Sequence, residues 1–120
     1  MKLSTDRGPE VILKETASHL AFLATERLYE RQPELWDLGE RGRSRTLEDF
    51  GHHFGALAAG PDAFRTHIDY CYELFAARGF PLKWLDDAWG IMSEICEETF
   101  EQPVLGVAIQ NLSIATANRR

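Results

Sequence analysis

The residues best placed to do chemistry fall in one short run, Arg45-Thr46-Leu47-Glu48-Asp49-Phe50-Gly51-His52-His53. A helix turns about 100° per residue, so Arg45, Thr46, His52, His53 and Ala56 would all lie within roughly 60° of Asp49. One face would then carry a carboxylate, two imidazoles, a hydroxyl and a guanidinium, with Arg41 and Arg43 just upstream. Such a face suits an anionic, nitrogen-rich ligand. The carboxylate accepts hydrogen bonds from ligand N–H groups, the arginines hold ligand carboxylates in bidentate fashion, and the imidazoles donate, accept or titrate near neutrality. The same residues would serve equally as a solvated face with local ion pairs, and spacing alone does not choose between the two.

The elements that must position this face read as helices throughout, because apolar residues recur at helical spacing and no useful strand alternation occurs. The first helix is expected over Pro9–Arg31, with Leu13, Ala17, Leu20, Ala24 and Leu28 as its stripe. Pro33–Leu38 forms a short turn of helix, and Gly39 and Gly42 mark a loop. The helix bearing Asp49 is expected over Ser44–Ala59, with Leu47, Phe50, Phe54, Leu57 and Ala58 facing the core. Pro61 opens the next helix, which carries Phe64, Ile68, Cys71 and Phe75 and stops at Gly79. Pro81 opens another, with Leu85, Ala88, Trp89, Met92 and Ile95, and Pro103 opens a last one. The reading is thus an all-α chain of about six helices with short connections, either a bundle or a globin-like fold. A flexible N-terminus over residues 1–8 precedes a single domain over 9–118.

With 120 residues, 44% hydrophobic and 27% charged, the chain can bury one core without disulfide or metal. A net charge of −6 argues against nucleic acid as the main partner. Cys71 and Cys96 each sit at an apolar-periodic position and read as buried thiols rather than a metal-ligand cluster. No apolar run reaches membrane-spanning length and the first ten residues lack an apolar signal core, so the cytoplasm is expected. Asp49 with His53 could form an acid–base pair. No nucleophile motif, phosphate-binding glycine loop or metal-ligand pattern accompanies it, so the expectation is a binding protein, not an enzyme. The acidic run from Asp86 to Glu101 reads as a solvated helix face.

Three segments, taken in order, resemble the phycobiliproteins. Glu48-Asp49-Phe50-Gly51-His52-His53-Phe54 is similar to that family's chromophore helix, roughly Arg-Asp-aliphatic-Gly-Tyr-Tyr-Leu. Leu28-Tyr29-Glu30-Arg31-Gln32-Pro33-Glu34 resembles its Leu-Phe-x-x-x-Pro-Asp segment. Glu73 to Leu82 resembles its Glu-Met-Tyr-Lys-Ser-Leu-Gly-x-Pro-Ile. The likeness spans about residues 20 to 95, and it is the order and spacing of the three segments that carry it. It implies a globin-like fold and a linear tetrapyrrole (bilin) as ligand, with Asp49 hydrogen-bonding the pyrrole nitrogens. Phe75 sits at a matching pocket position, and Tyr72 and Trp84 are nearby candidates.

The departures are informative. The family attaches its bilin through a Cys where this chain has Thr46, which excludes a thioether there. Glu48 stands where the family has Arg, so Arg43 or Arg45 would have to replace it. The tyrosine pair is His52-His53, and the family's two extra N-terminal helices have no room here. The resemblance is therefore closest to bacterial bilin biosynthesis-associated globins, and implies noncovalent binding of biliverdin or a reduced bilin for carrying, protection or sensing. A homodimer and a haem oxygenase or bilin reductase are the implied partners.

Two alternatives remain open. Haem would need an axial ligand, for which His19, His52, His53 and His67 are available. A cofactor-free sensory or scaffolding globin would act through partners, with exposed members among Trp36, Trp84 and Trp89 marking an interface and Trp89 expected in the core.

Overall fold

Proline sets both limits of the first helix. In the computed structural model, which describes residues 2–3, 7–101 and 110–112, α1 spans Pro9–Arg31, with Pro9 in its first turn. Its end comes as Pro33, which lacks an N–H, opens the 3-10 turn Pro33–Leu38. The sequence expectation is met here in type and extent. α2 spans Gly39–Ala58, α3 spans Pro61–Arg78 and α4 spans Lys83–Thr99. The described residues thus form an all-helical chain of four α-helices and one 3-10 turn, with 110–112 also helical. The last helix expected from Pro103 lies mostly outside the described residues.

The start of α2 is a correction. Gly39 and Gly42 read as a loop in the sequence, yet both belong to the helix. Gly39 turns the chain out of the 3-10 segment at φ 71°, where a side chain would be strained. Gly42 is required for a different reason: a Cβ on it would sit 2.5 Å from the Leu38 Cβ. The two glycines let the 3-10 turn fold closely against the new helix rather than break it.

α1 packs along α2 and α4, and α3 packs on α2. The four helices form a body of 41 × 30 × 18 Å, about two helix diameters thick. Its core is built from Leu13, Leu20 and Leu28 of α1, Phe50, Phe54 and Leu57 of α2, Phe64 and Ile68 of α3, and Leu85, Ile91, Met92 and Ile95 of α4. Burying each of these large side chains contributes about 1.5–3 kcal/mol. Trp89, Cys71 and Cys96 are buried, as their spacing implies. Leu112 reaches the same core, and the Asn111 amide donates to the Leu57 carbonyl at 3.3 Å. Near the N-terminus, Leu3 forms an isolated parallel bridge with Phe100.

α1 and α4 are also tied by charge. Arg27 donates to both oxygens of Glu98, at 3.1 and 2.6 Å, and Arg31 donates to Glu94 at 2.7 Å. Part of the acidic run expected to be merely solvated is therefore the α4 half of an ion-pair seam. The arginine pair Arg27 and Arg31 is spaced i,i+4, as is Glu94 and Glu98, so both pairs face across one helix contact.

Candidate functional site

The end of α3 shows how local structure shapes the site. Gly79 takes the left-handed conformation at φ 72°. Its N–H bonds the Ala76 carbonyl at 3.2 Å, while Phe80 N–H reaches back to the Phe75 carbonyl at 3.0 Å. This is a Schellman closure, and its usual apolar contact is present: the Phe75 and Phe80 rings meet edge-on, centroids 5.4 Å apart. Phe80 in turn lies 6.0 Å from Trp84, centroid to centroid. The turn thus builds an aromatic wall, Phe75-Phe80-Trp84.

That wall faces α2 across a groove of about 580 Å³. From α2 the groove is lined by Arg41, Gly42, Arg45, Thr46, Glu48, Asp49, Phe50, His52 and His53. Tyr70, Leu74, Phe75 and Arg78 of α3 face them, with Phe80, Trp84, Leu85 and Ala88 beyond, and Leu28, Leu35 and Leu38 complete it. Of the nine residues proposed from sequence, the structure brings seven together here: Asp49, Arg45, Thr46, His52, His53, Phe75 and Trp84.

The other two lie elsewhere. Arg43 turns from the groove to pair with Glu26 on α1. It is two residues from Arg45, about 200° round the helix, so the two cannot share a face. Tyr72 donates to the Asp86 carboxylate and accepts from the Trp89 indole N–H at 3.1 Å, bracing α3 against α4. Tyr70, two residues earlier and half-exposed, lines the groove instead. Arg78 and Arg41 also line it; neither has a carboxylate within ion-pair distance among the described residues.

Asp49 sits half-buried on the groove wall. Burial pushes its carboxyl above the ordinary range. The Arg45 guanidinium and His52 oppose that shift, Glu48 adds to it, and Arg78 opposes it from across the groove. Arg45 is shared with Glu48 at 3.7 Å, both largely exposed. Thr46 donates to the Gly42 carbonyl at 3.0 Å and lies 3.4 Å from the Tyr29 hydroxyl. His52 is exposed.

His53 departs from the face assigned to it. It is 6% exposed, whereas the sequence places it beside Asp49 on the polar face. At about 40° from Asp49 it stands on the shoulder toward Leu57 and Phe50, at about 80° and 100°, so the core claims it. Its Nδ1 lies 2.7 Å from the His67 Nε2, and that nitrogen lies 3.5 Å from the Cys71 Sγ. Burial and the neighbouring imidazoles hold His53 down to about 3. Burial also lowers His67, and burial with the nearby Asp49 charge pushes the Cys71 thiol up to about 12. The sequence offered His53 and His67 together only as haem-ligand options and read Cys71 as a buried thiol outside any metal-ligand cluster, whereas the structure gathers the three donor atoms within 4.8 Å. His67 and Cys71 are an i,i+4 pair visible on α3, but only the packing of α3 on α2 adds His53.

Comparison of the chain with family models, curated proteins and solved structures yields no match. No helix among the described residues is long and apolar enough to cross a membrane.

Proposed function

We propose that the groove binds a linear tetrapyrrole without a covalent bond, in a globin-like protein related to the phycobiliproteins that carries, protects or senses the pigment rather than converting it. The observation that carries this reading is the conjunction of Asp49 with the aromatic wall. A desolvated carboxylate on α2 faces Phe75, Phe80 and Trp84 across a groove whose volume lies in the range of small-molecule sites. A flat conjugated ligand would stack against the wall while its pyrrole N–H groups donate to Asp49. Arg41, Arg45 and Arg78 supply cations for propionate groups; Arg45 and Arg78 thus take the part for which the sequence offered Arg43 or Arg45. Leu38, Tyr70 and Phe80 are large apolar residues left exposed at this groove, and a ligand would cover them.

The test is a spectral titration of the purified chain with biliverdin. A red-shifted, sharpened absorption band at 1:1 stoichiometry is expected, and Asp49→Ala should weaken binding about tenfold, the worth of one charge-assisted hydrogen bond. An unchanged spectrum overturns the reading. One observation favours a second: His52, exposed on the α2 side of the groove, could reach a haem iron. A Soret band on adding haemin, lost in His52→Ala, would select haem over bilin.

A further inference from the structure

We infer that His53, His67 and Cys71 form a binding site for one zinc(II)-class ion, wedged between α2 and α3 beneath the groove. The three donor atoms, two imidazole nitrogens and one sulfur, lie within 4.8 Å of one another. Tetrahedral bonds of 2.0–2.1 Å to nitrogen and 2.3 Å to sulfur would set N···N at about 3.3 Å and N···S at about 3.5 Å. The His67 Nε2 to Cys71 Sγ separation is already 3.5 Å. The His53 Nδ1 to His67 Nε2 hydrogen bond, at 2.7 Å, would open by about 0.6 Å to admit the ion.

The surroundings select the class of metal. Two imidazoles and a sulfur suit zinc or copper and not calcium or magnesium, which take oxygen. Phe64 stacks on His67, and Trp89 lies edge-on to His53 at 4.9 Å, so the site is walled by rings. Both imidazoles are held uncharged, which suits them as ligands, while burial and the Asp49 charge hold the Cys71 thiol protonated, so the ion must displace that proton. The Cys71 thiol proton leaves to solvent as the Zn–S bond forms, and the proton between the imidazoles moves to an outer ring nitrogen. His53 also lines the groove, while His67 and Cys71 do not, and the fourth position would be filled by water or a ligand atom.

The inference stands apart from the tetrapyrrole reading and is tested on metal-stripped full chain without pigment. Cobalt(II) is titrated first and zinc(II) then used to displace it. One cobalt per chain is expected, with visible d–d bands, a near-ultraviolet sulfur-to-cobalt charge-transfer band, and quenching of Trp89 emission. Cys71→Ser should abolish the charge-transfer band while Cys96→Ser keeps it. His67→Asn should weaken cobalt binding by at least about 100-fold, more than losing a mere supporting contact. Circular dichroism of each variant separates lost ligation from lost folding. No charge-transfer band in the wild-type chain, or a band that survives Cys71→Ser, overturns the proposal.

Discussion

The two sides of α2's neighbourhood use charge in opposite ways. Along the α1–α4 seam, Arg27 and Arg31 are matched by Glu94 and Glu98 in direct ion pairs, and in the cavity of about 390 Å³ beside them Arg31 meets Glu94 and Lys83 meets Asp87. Across the α2–α3 side, Asp49 is half-buried with no ion pair of its own among the described residues. Arg41 and Arg78 stand unmatched, and aromatic rings line open space. Opposite charges that meet each other hold helices together; opposite charges that face one cavity without meeting are available to something else. The difference supports the groove as the proposed binding side more than any one of its residues does.

Acid should break the two sides at different pH. His53 titrates near 6.5 when unfolded and near 3 when folded. Between those values the unfolded chain binds the extra proton, so stability is full above about 6.5 and falls as pH drops toward 3, by up to about 1.4 kcal/mol per unit. The groups facing it are His67, His52 and Cys71, and His67 adds to the same slope. Glu94 is held low by Arg31, so the seam keeps its contribution until pH falls below 4.5. Asp49, raised by burial, runs the other way and is relieved by acid. Denaturant melts of the metal-free chain from pH 8 to 4 should show the decline beginning below 6.5. His53→Phe should make the decline shallower, leaving the share of His67; an unchanged slope would place the acid-sensitive group elsewhere.

Smaller effects sharpen the contrast. Gly42→Ala forces a Cβ into Leu38 and should cost about 1–3 kcal/mol in urea unfolding, despite alanine's better helix propensity. It should also narrow the groove at Leu38. Asp49→Asn should leave stability unchanged or raise it by up to about 1 kcal/mol, because a desolvated charge is removed, while weakening biliverdin binding. A variant less stable and equally good at binding would show that Asp49 serves the fold. Arg31→Ala should change urea unfolding least of all, and less still in high salt, with no change in ligand affinity, since this pair is exposed.

The sequence was most legible where backbone chemistry leaves little choice. Pro9 and Pro33 bound α1, Gly60 and Pro61 separate α2 from α3, and Gly79 ends α3. The Asp49 face was legible because helical spacing alone brings Arg45, Thr46 and His52 beside it. Three features were hidden for distinct reasons. Gly39 and Gly42 look like loop residues until Leu38 is seen lying against Gly42. Arg43 and Arg45 are alike in type, and with the helix expected to begin at Ser44 the phase of Arg43 was not defined; α2 beginning at Gly39 turns it to the other face, where Glu26 of α1 takes it. The His53-His67-Cys71 trio needs two helices docked in a given register, which no single helix's periodicity encodes. Tyr72 was misplaced by the same limit: being near the pocket in sequence says nothing about which side of α3 points there.

Gly79 carries a consequence beyond ending a helix. Because Phe80 is the second half of the closure and also a wall of the groove, the length of α3 and the width of the cavity are a single structural variable. Lengthening α3 by one residue would rotate the closing ring by about 100° and swing it out of the wall. A corner of this kind tolerates substitution far better than insertion. Divergence among chains of this type would therefore show as exchanged rings at 75, 80 and 84 over a fixed residue count, each exchange retuning the shape of the groove.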